Sequence, residues 1–155
     1  MRVVAAIALA VALPHHGTFV PGRSLGGVRL GMTTAQVERA WGTVHGGCRG
    51  CARTTWYFTY KRFDPHGAGV ELVRGRVVAI FTLWSPSGWQ TADRRLAIGD
   101  ETGRITLVEG PLKSVACRNY AALVLPARGA VSAFYVVQNR LWGFGLTRPG
   151  VPVCR

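Results

Sequence analysis

Leu30 to Gly42, LGMTTAQVERAWG, is the most informative stretch of the chain. Thr33 with Gln36 has the spacing of a capping box, in which a threonine hydroxyl and a glutamine side chain satisfy backbone donors at a helix start. Val37, Ala40 and Trp41 then fall on one helix face, and Gly42 supplies a residue that tolerates the left-handed conformation of a C-cap. So short a helix draws its stability from packing, because isolated short helices are marginal in water. A weaker copy follows at Ile98 to Gly110, IGDETGRITLVEG: Gly31 matches Gly99, Thr34 matches Thr102 and Gly42 matches Gly110. Leu30 stands against Ile98 and Val37 against Ile105; Asp100 or Thr102 caps the second helix. Self-similarity at a fixed spacing reads as a repeat.

Strand-like sequence comes after each copy. Thr54 to Lys61 is aromatic and β-rich, and Gly69 to Arg74 turns at Arg74-Gly75 into Arg76 to Trp84. In the second half Tyr120 to Leu125 is followed by Val131 to Val137, a Gln138-Asn139 turn and Arg140 to Thr147. The expected fold is therefore α+β, a tandem repeat of a helix plus antiparallel hairpin strands, pooled into one curved antiparallel sheet with helices on one face. Residues 1–12 read as a signal peptide, with Met1-Arg2 before an apolar run too short to span a bilayer as a helix. Residues 13–24 read as a linker, 25–89 as the first repeat and 90–155 as the second, within one globular unit. No cysteine lies near the expected cleavage sites, so neither a lipid anchor nor a transmembrane anchor is expected.

The 155 residues carry a net charge of +12, almost wholly from arginine, since Lys61 and Lys113 are the only lysines. Such a field attracts anionic partners. The arginines are nevertheless scattered, with Arg94-Arg95 the only adjacent pair, and no nucleic-acid signature accompanies them; specific nucleic-acid binding is not expected.

Four cysteines in an exported chain make two disulfides, and Cys48–Cys51 with Cys117–Cys154 is the preferred pairing because the second link pins the end of the sequence against a loop of its own half. The alternative use of Cys48-Arg49-Gly50-Cys51 is as a thiol-disulfide enzyme motif, its thiol activated by the neighbouring arginine. A thioredoxin-like site puts that motif at a helix start, and here strands follow. His45, Cys48, Cys51 and His66 are zinc ligand types, but their spacing matches no common set, and neither metal nor cofactor is expected.

The seven acids, Glu38, Asp64, Glu71, Asp93, Asp100, Glu101 and Glu109, show no paired pattern suited to acid and base chemistry, and no hydrolase, metalloprotease or phosphate-loop motif is present. An enzyme is not expected. Aromatic residues remain. In the first strand Tyr57, Thr59 and Lys61 share one face, opposite Trp56, Phe58 and Tyr60, and the more polar set is the one expected to be open. In the last strand Trp142, Phe144 and Leu146 read as buried, with Gly143 and Gly145 open. The turn from Trp84 to Trp89 joins the halves.

The LGMTTAQVERAWG segment resembles the helix signature L-G-M-[ST]-x-x-x-V-x-x-x-[LWF]-G of the small outer-membrane assembly lipoproteins and of the β-lactamase inhibitor proteins. The tandem organisation and loop cysteines look more like the inhibitor type, and the arrangement is also similar to secreted proteins of high-GC actinobacteria. The inhibitor resemblance implies a curved sheet that grips a target with aromatic side chains. Tyr57, Lys61, Trp84, Trp89 and Tyr135 are then the expected gripping residues, assigned by strand position. The expected function is that of a secreted, non-enzymatic module that binds a protein or an anionic envelope polymer. The alternatives are the Cys48/Cys51 redox enzyme and a structural envelope protein held by charge.

Overall fold

The computed structural model describes residues 11–155; the signal-peptide reading falls almost entirely outside the described residues. The chain runs β1 (Thr18–Val20), β2 (Ser24–Leu25), α1 (Thr34–Trp41), β3 (Gly46–Gly47), β4 (Thr54–Thr59), β5 (Gly67–Val73), β6 (Arg76–Leu83), β7 (Gln90–Thr91), α2 (Thr102–Glu109), β8 (Lys113–Ala116), β9 (Ala121–Ala127), β10 (Ala130–Val137) and β11 (Arg140–Thr147). Eight strands form one sheet in the order β3-β4-β5-β6-β11-β10-β9-β8. Every pairing within it is antiparallel, including the central contact of β6 with β11. A separate small sheet, β2-β1-β7, contains the one parallel pair of the described strands.

α1 forms as its sequence dictates. The Thr33 N–H donates to Gln36 Oε1 at 2.8 Å and the Gln36 N–H to Thr33 Oγ1 at 3.3 Å, completing the capping box. Val37 and Trp41 are its buried residues. Trp41 stands edge-on to Phe58 of β4 with ring centroids 5.2 Å apart, and its Nε1 donates to Gly26 O at 2.8 Å. α2 starts differently: its N-cap is Glu101, not Asp100 or Thr102, and makes no side-chain cap hydrogen bond, and Ile105 is its only buried residue. Asp100 instead accepts the Ala97 N–H at 2.9 Å, closing the turn before the helix.

The α+β tandem-repeat expectation is corrected by these elements. The described residues are mostly β, with 42% of them in strands and bridges against 11% in helices. Two helices of eight residues each lie against a dominant eight-stranded sheet, and a helix-plus-hairpin unit does not describe the molecule. The short strands β3 and β8 extend the sheet at its two edges, and β1, β2 and β7 build a second sheet from sequence that carries no strand period. Local likeness survives at the Gly31 and Gly99 turns: Gly31 N–H donates to Val77 O at 2.8 Å and Gly99 N–H to Leu141 O at 2.7 Å. Residues 13–24 are not a free linker either, since Leu13, Phe19 and the Leu25 that follows are buried in the core.

The main core lies between the helix-bearing face of the large sheet and the small sheet. Phe58, Val70, Ile80, Phe134, Phe144 and Leu146 point into it from the strands and meet Val37, Trp41, Ile105, Phe19 and Trp89. Phe19 sits 4.9 Å from Phe144 and 5.6 Å from Phe134, centroid to centroid. The opposite face carries a smaller cluster of Phe81, Ala122, Val124, Ala133 and Tyr135. No helix of the described residues is long and apolar enough to cross a membrane.

Candidate functional site

The sheet face away from the helices is concave and holds a cavity of about 750 Å³. That size falls within the range of small-ligand pockets. Two side-chain arrangements create the hollow. At Gly145 of β11 a Cβ would stand 2.2 Å from the Tyr135 hydroxyl, and at Gly69 of β5 one would stand 2.7 Å from the Phe81 ring. Both rings therefore lie along the sheet over neighbouring glycines instead of rising from it, which lowers the floor.

A β-bulge shapes one wall. Between β10 and β11, Tyr135 pairs with Gly143 and Val136 with Leu141, which leaves Trp142 as the extra residue. The extra residue of a bulge breaks the strict alternation of faces. Leu141 and Phe144 remain in the helix-side core while Trp142 lines the cavity on the other face. Sequence alternation put Trp142 with the buried Phe144 and Leu146, and the bulge is what moves it. Trp142 meets Trp84 edge-on at 6.1 Å. Trp84 is 61% exposed, and both it and Ser85 have left-handed backbone, φ 53° and 52°. For a bulky residue that conformation is strained, and such strain concentrates at functional surfaces.

Charge sits at the far end of the cavity. Arg53 Nε donates to Glu71 Oε2 at 2.5 Å, and Arg155 Nη1 lies 3.6 Å from Glu71 Oε1. Glu71 and Arg155 side chains are each only 11% exposed. The Arg155 guanidinium also stands over the Phe81 ring, 5.3 Å from its centroid, a cation–π arrangement. Val153 to Arg155 are tied here by the Cys154–Cys117 disulfide and by two tyrosines. Tyr120 fixes the end of the segment, its hydroxyl donating to Arg155 O at 2.8 Å and accepting the Arg155 N–H. Tyr135 donates to Val153 O at 2.8 Å, and burial pushes its hydroxyl above the usual tyrosine range, against the opposing pull of Arg155.

The expected gripping residues part company here. Tyr57 and Trp84 line the cavity, and so does Tyr135, though its ring is buried in the floor. Lys61 is exposed beyond the end of β4 and does not line it. Trp89 is fully buried on the other side of the sheet, donating from Nε1 to the Tyr60 hydroxyl at 2.5 Å. Arg53, Glu71 and Arg155 were not expected. Glu71 was the available signal: it is the one charged residue within the otherwise apolar β5 sequence GAGVELV, and a buried acid demands a cationic partner.

The cysteines are paired Cys48–Cys51 and Cys117–Cys154. The first pair spans the loop between β3 and β4, without the helix N-terminus that lowers a thiol pKa in redox motifs. His45 stacks on Trp56 at 3.9 Å, and His66 Nδ1 pairs with Asp64 at 2.6 Å, so the residues considered for zinc do not converge. Among the described residues there is no cluster of three or more metal-ligand side chains.

No protein-family model matches the sequence, and no curated protein matches it. Two solved structures share the fold. One is a DUF4309 family protein, YjgB, from Bacillus subtilis subsp. subtilis str. 168, with a TM-score of 0.60 and 15% identity over 79% of this chain and 82% of that one. The other is an extracellular protein containing a SCP domain from Bacillus anthracis str. Ames, with a TM-score of 0.56 and 11% identity over 77% of this chain. This chain spans 44% of that protein's length. At these identities the likeness concerns the fold alone.

Proposed function

We propose that this protein is a non-enzymatic binding module that works outside the cytoplasm and grips a partner protein with the concave, helix-free face of its large sheet. The observation that carries this reading is the cavity itself, walled by Tyr57, Leu83, Trp84 and Trp142. Tyr, Trp and Arg dominate the residues on which protein interfaces depend, and a concave apolar site with a few convergent polar groups is the usual form of a binding site. Binding is favoured over catalysis because the charged groups at the site are tied to one another: both Glu71 oxygens face arginines. Extracytoplasmic placement is supported by the two disulfides, which persist in oxidising compartments. From the resemblance to the β-lactamase inhibitor proteins the reading keeps the use of a sheet face and not the target.

The test is capture from envelope extracts by the immobilised domain, with Trp84→Ala and Tyr57→Ala compared with wild type. Loss of a retained protein by roughly tenfold or more in either variant is expected for an interface anchor. Equal recovery by all three overturns the reading. Capture that ignores the aromatic substitutions and vanishes at moderate salt supports instead an anionic envelope polymer held by charge.

A further inference from the structure

We infer that the group entering the cavity is a carboxylate carried on an apolar stem. This rests on the reading of the concave face as the binding surface and adds the chemistry of what that surface recognises. Three observations converge. The walls are apolar and aromatic, from Phe81 and Leu83 to Trp84 and Trp142, and accept a hydrocarbon or aromatic stem. At one end two guanidinium groups, Arg53 and Arg155, face the single side-chain carboxylate of Glu71 in a mostly buried setting. The Arg155 side chain is also under-used, because Nε and Nη2 are buried and have no hydrogen-bond partner among the described residues.

Nε and Nη2 form one edge of the guanidinium fork, the edge that pairs with a carboxylate through two parallel hydrogen bonds. Leaving such donors buried and unmet carries a desolvation penalty, and a carboxylate that enters beside Arg155 and draws the fork round toward the cavity relieves it. The other side is occupied: Nη1 donates to Cys154 O at 3.0 Å and lies 3.6 Å from Glu71 Oε1, while the second edge has no acceptor among the described residues. A cationic ligand meets the opposite situation, since it would add positive charge beside two arginines. A neutral stem of equal length gains the apolar contacts and nothing from the fork. Discrimination by head group is therefore the signature of this site, and the net charge of +12 steers the same sign of ligand toward it.

The experiment uses decanoate, decanol and decyltrimethylammonium as probes of the intact, disulfide-bonded protein, read by tryptophan fluorescence, since Trp84 and Trp142 line the cavity. Saturable binding of decanoate at least tenfold tighter than decanol, with no binding of the cationic probe, is expected. In Arg155→Gln the preference for decanoate over decanol should fall to within about twofold, while Arg155→Lys should restore part of it through charge alone. Thermal melts of each variant separate loss of the fold from loss of the fork. Arg53→Gln, further exposed and less costly to fold, serves as the second variant and should reduce the preference in the same direction. Equal affinity for decanoate and decanol, or a preference unchanged in both glutamine variants, overturns the inference. Decanoate binding together with protein capture that ignores Trp84→Ala and Tyr57→Ala sinks the protein-binding reading alone, whereas sensitive capture without head-group preference sinks only the carboxylate.

Discussion

Two tryptophans at the ends of one turn have opposite placements. Trp84 is 61% exposed beside the cavity, and Trp89 is fully buried against the small sheet. A Cβ on Gly17 would stand 2.4 Å from the Trp89 ring, which shows how closely backbone and indole approach. Trp89→Ala is expected to cost about 3–5 kcal/mol of stability, the range for deleting a large buried aromatic. Trp84→Ala should stay within about 0.5 kcal/mol of wild type, as surface changes do, while weakening binding. Urea unfolding of both variants checks this, and a comparable loss in each contradicts the placement. Sequence could not separate the pair, because residue type, flanking Pro86 and Gly88, and position in a turn are shared. Glu109 offers a pH test. Burial, with Asp93 nearby, raises its carboxyl above the ordinary 4.5, so the folded state favours the protonated form. The stability tied to that proton is fully present below pH 4.5 and is lost as pH rises through the elevated folded value. Glu109→Gln should therefore leave stability at pH 3 unchanged and raise it slightly at pH 7, the effect being small because solvent screens a group this exposed; thermal melts at both pH values measure it.

At the scale of elements, the two helices are unequal in a way their aligned sequences only half disclose. Thr33 and Gln36 close a reciprocal cap at α1, whereas Glu101 at the start of α2 makes no side-chain cap bond. Thr33→Ala should cost about 1 kcal/mol and Glu101→Ala little, with the difference visible in denaturant midpoints. The capping box was legible because its chemistry is local, and so were the longer strands, whose turns at Arg74-Gly75 and Gln138-Asn139 adopt the left-handed backbone that tight hairpins require. Strands of two to four residues, such as β1, β3, β7 and β8, contain less than a usable period and are set by the partners that pair with them. Trp142 was misplaced for a related reason: counting alternate residues gives the correct face only until a bulge inserts one, and the bulge is a property of two strands together. The fold class failed on the same ground, since the edge strands and the small sheet that make the molecule mostly β leave no local pattern.

For the molecule as a whole, the disulfides divide the labour between stability and site. Cys117–Cys154 closes a separation of 37 residues and Cys48–Cys51 one of 3. In the chain-entropy account the longer loop contributes about 4 kcal/mol and the shorter about 2 kcal/mol. The longer link has a second consequence, because it ties Cys154 to Cys117 beside the cavity and with it the neighbouring Arg155 that faces Glu71. Replacing Cys117 and Cys154 together by serine is thus expected to lower stability by up to about 4 kcal/mol and to remove the carboxylate preference, since the guanidinium is no longer held over Phe81. Replacing Cys48 and Cys51 together should lower stability by about half as much and leave the preference intact, because that loop borders the cavity through Cys51 without supplying its charge. Denaturant unfolding gives the first quantity and decanoate-to-decanol affinity ratios the second. A shorter link that proves the more stabilising contradicts the chain-entropy account, and a ratio that survives loss of the longer link shows that Arg155 does not depend on Cys117–Cys154 for its place beside the cavity.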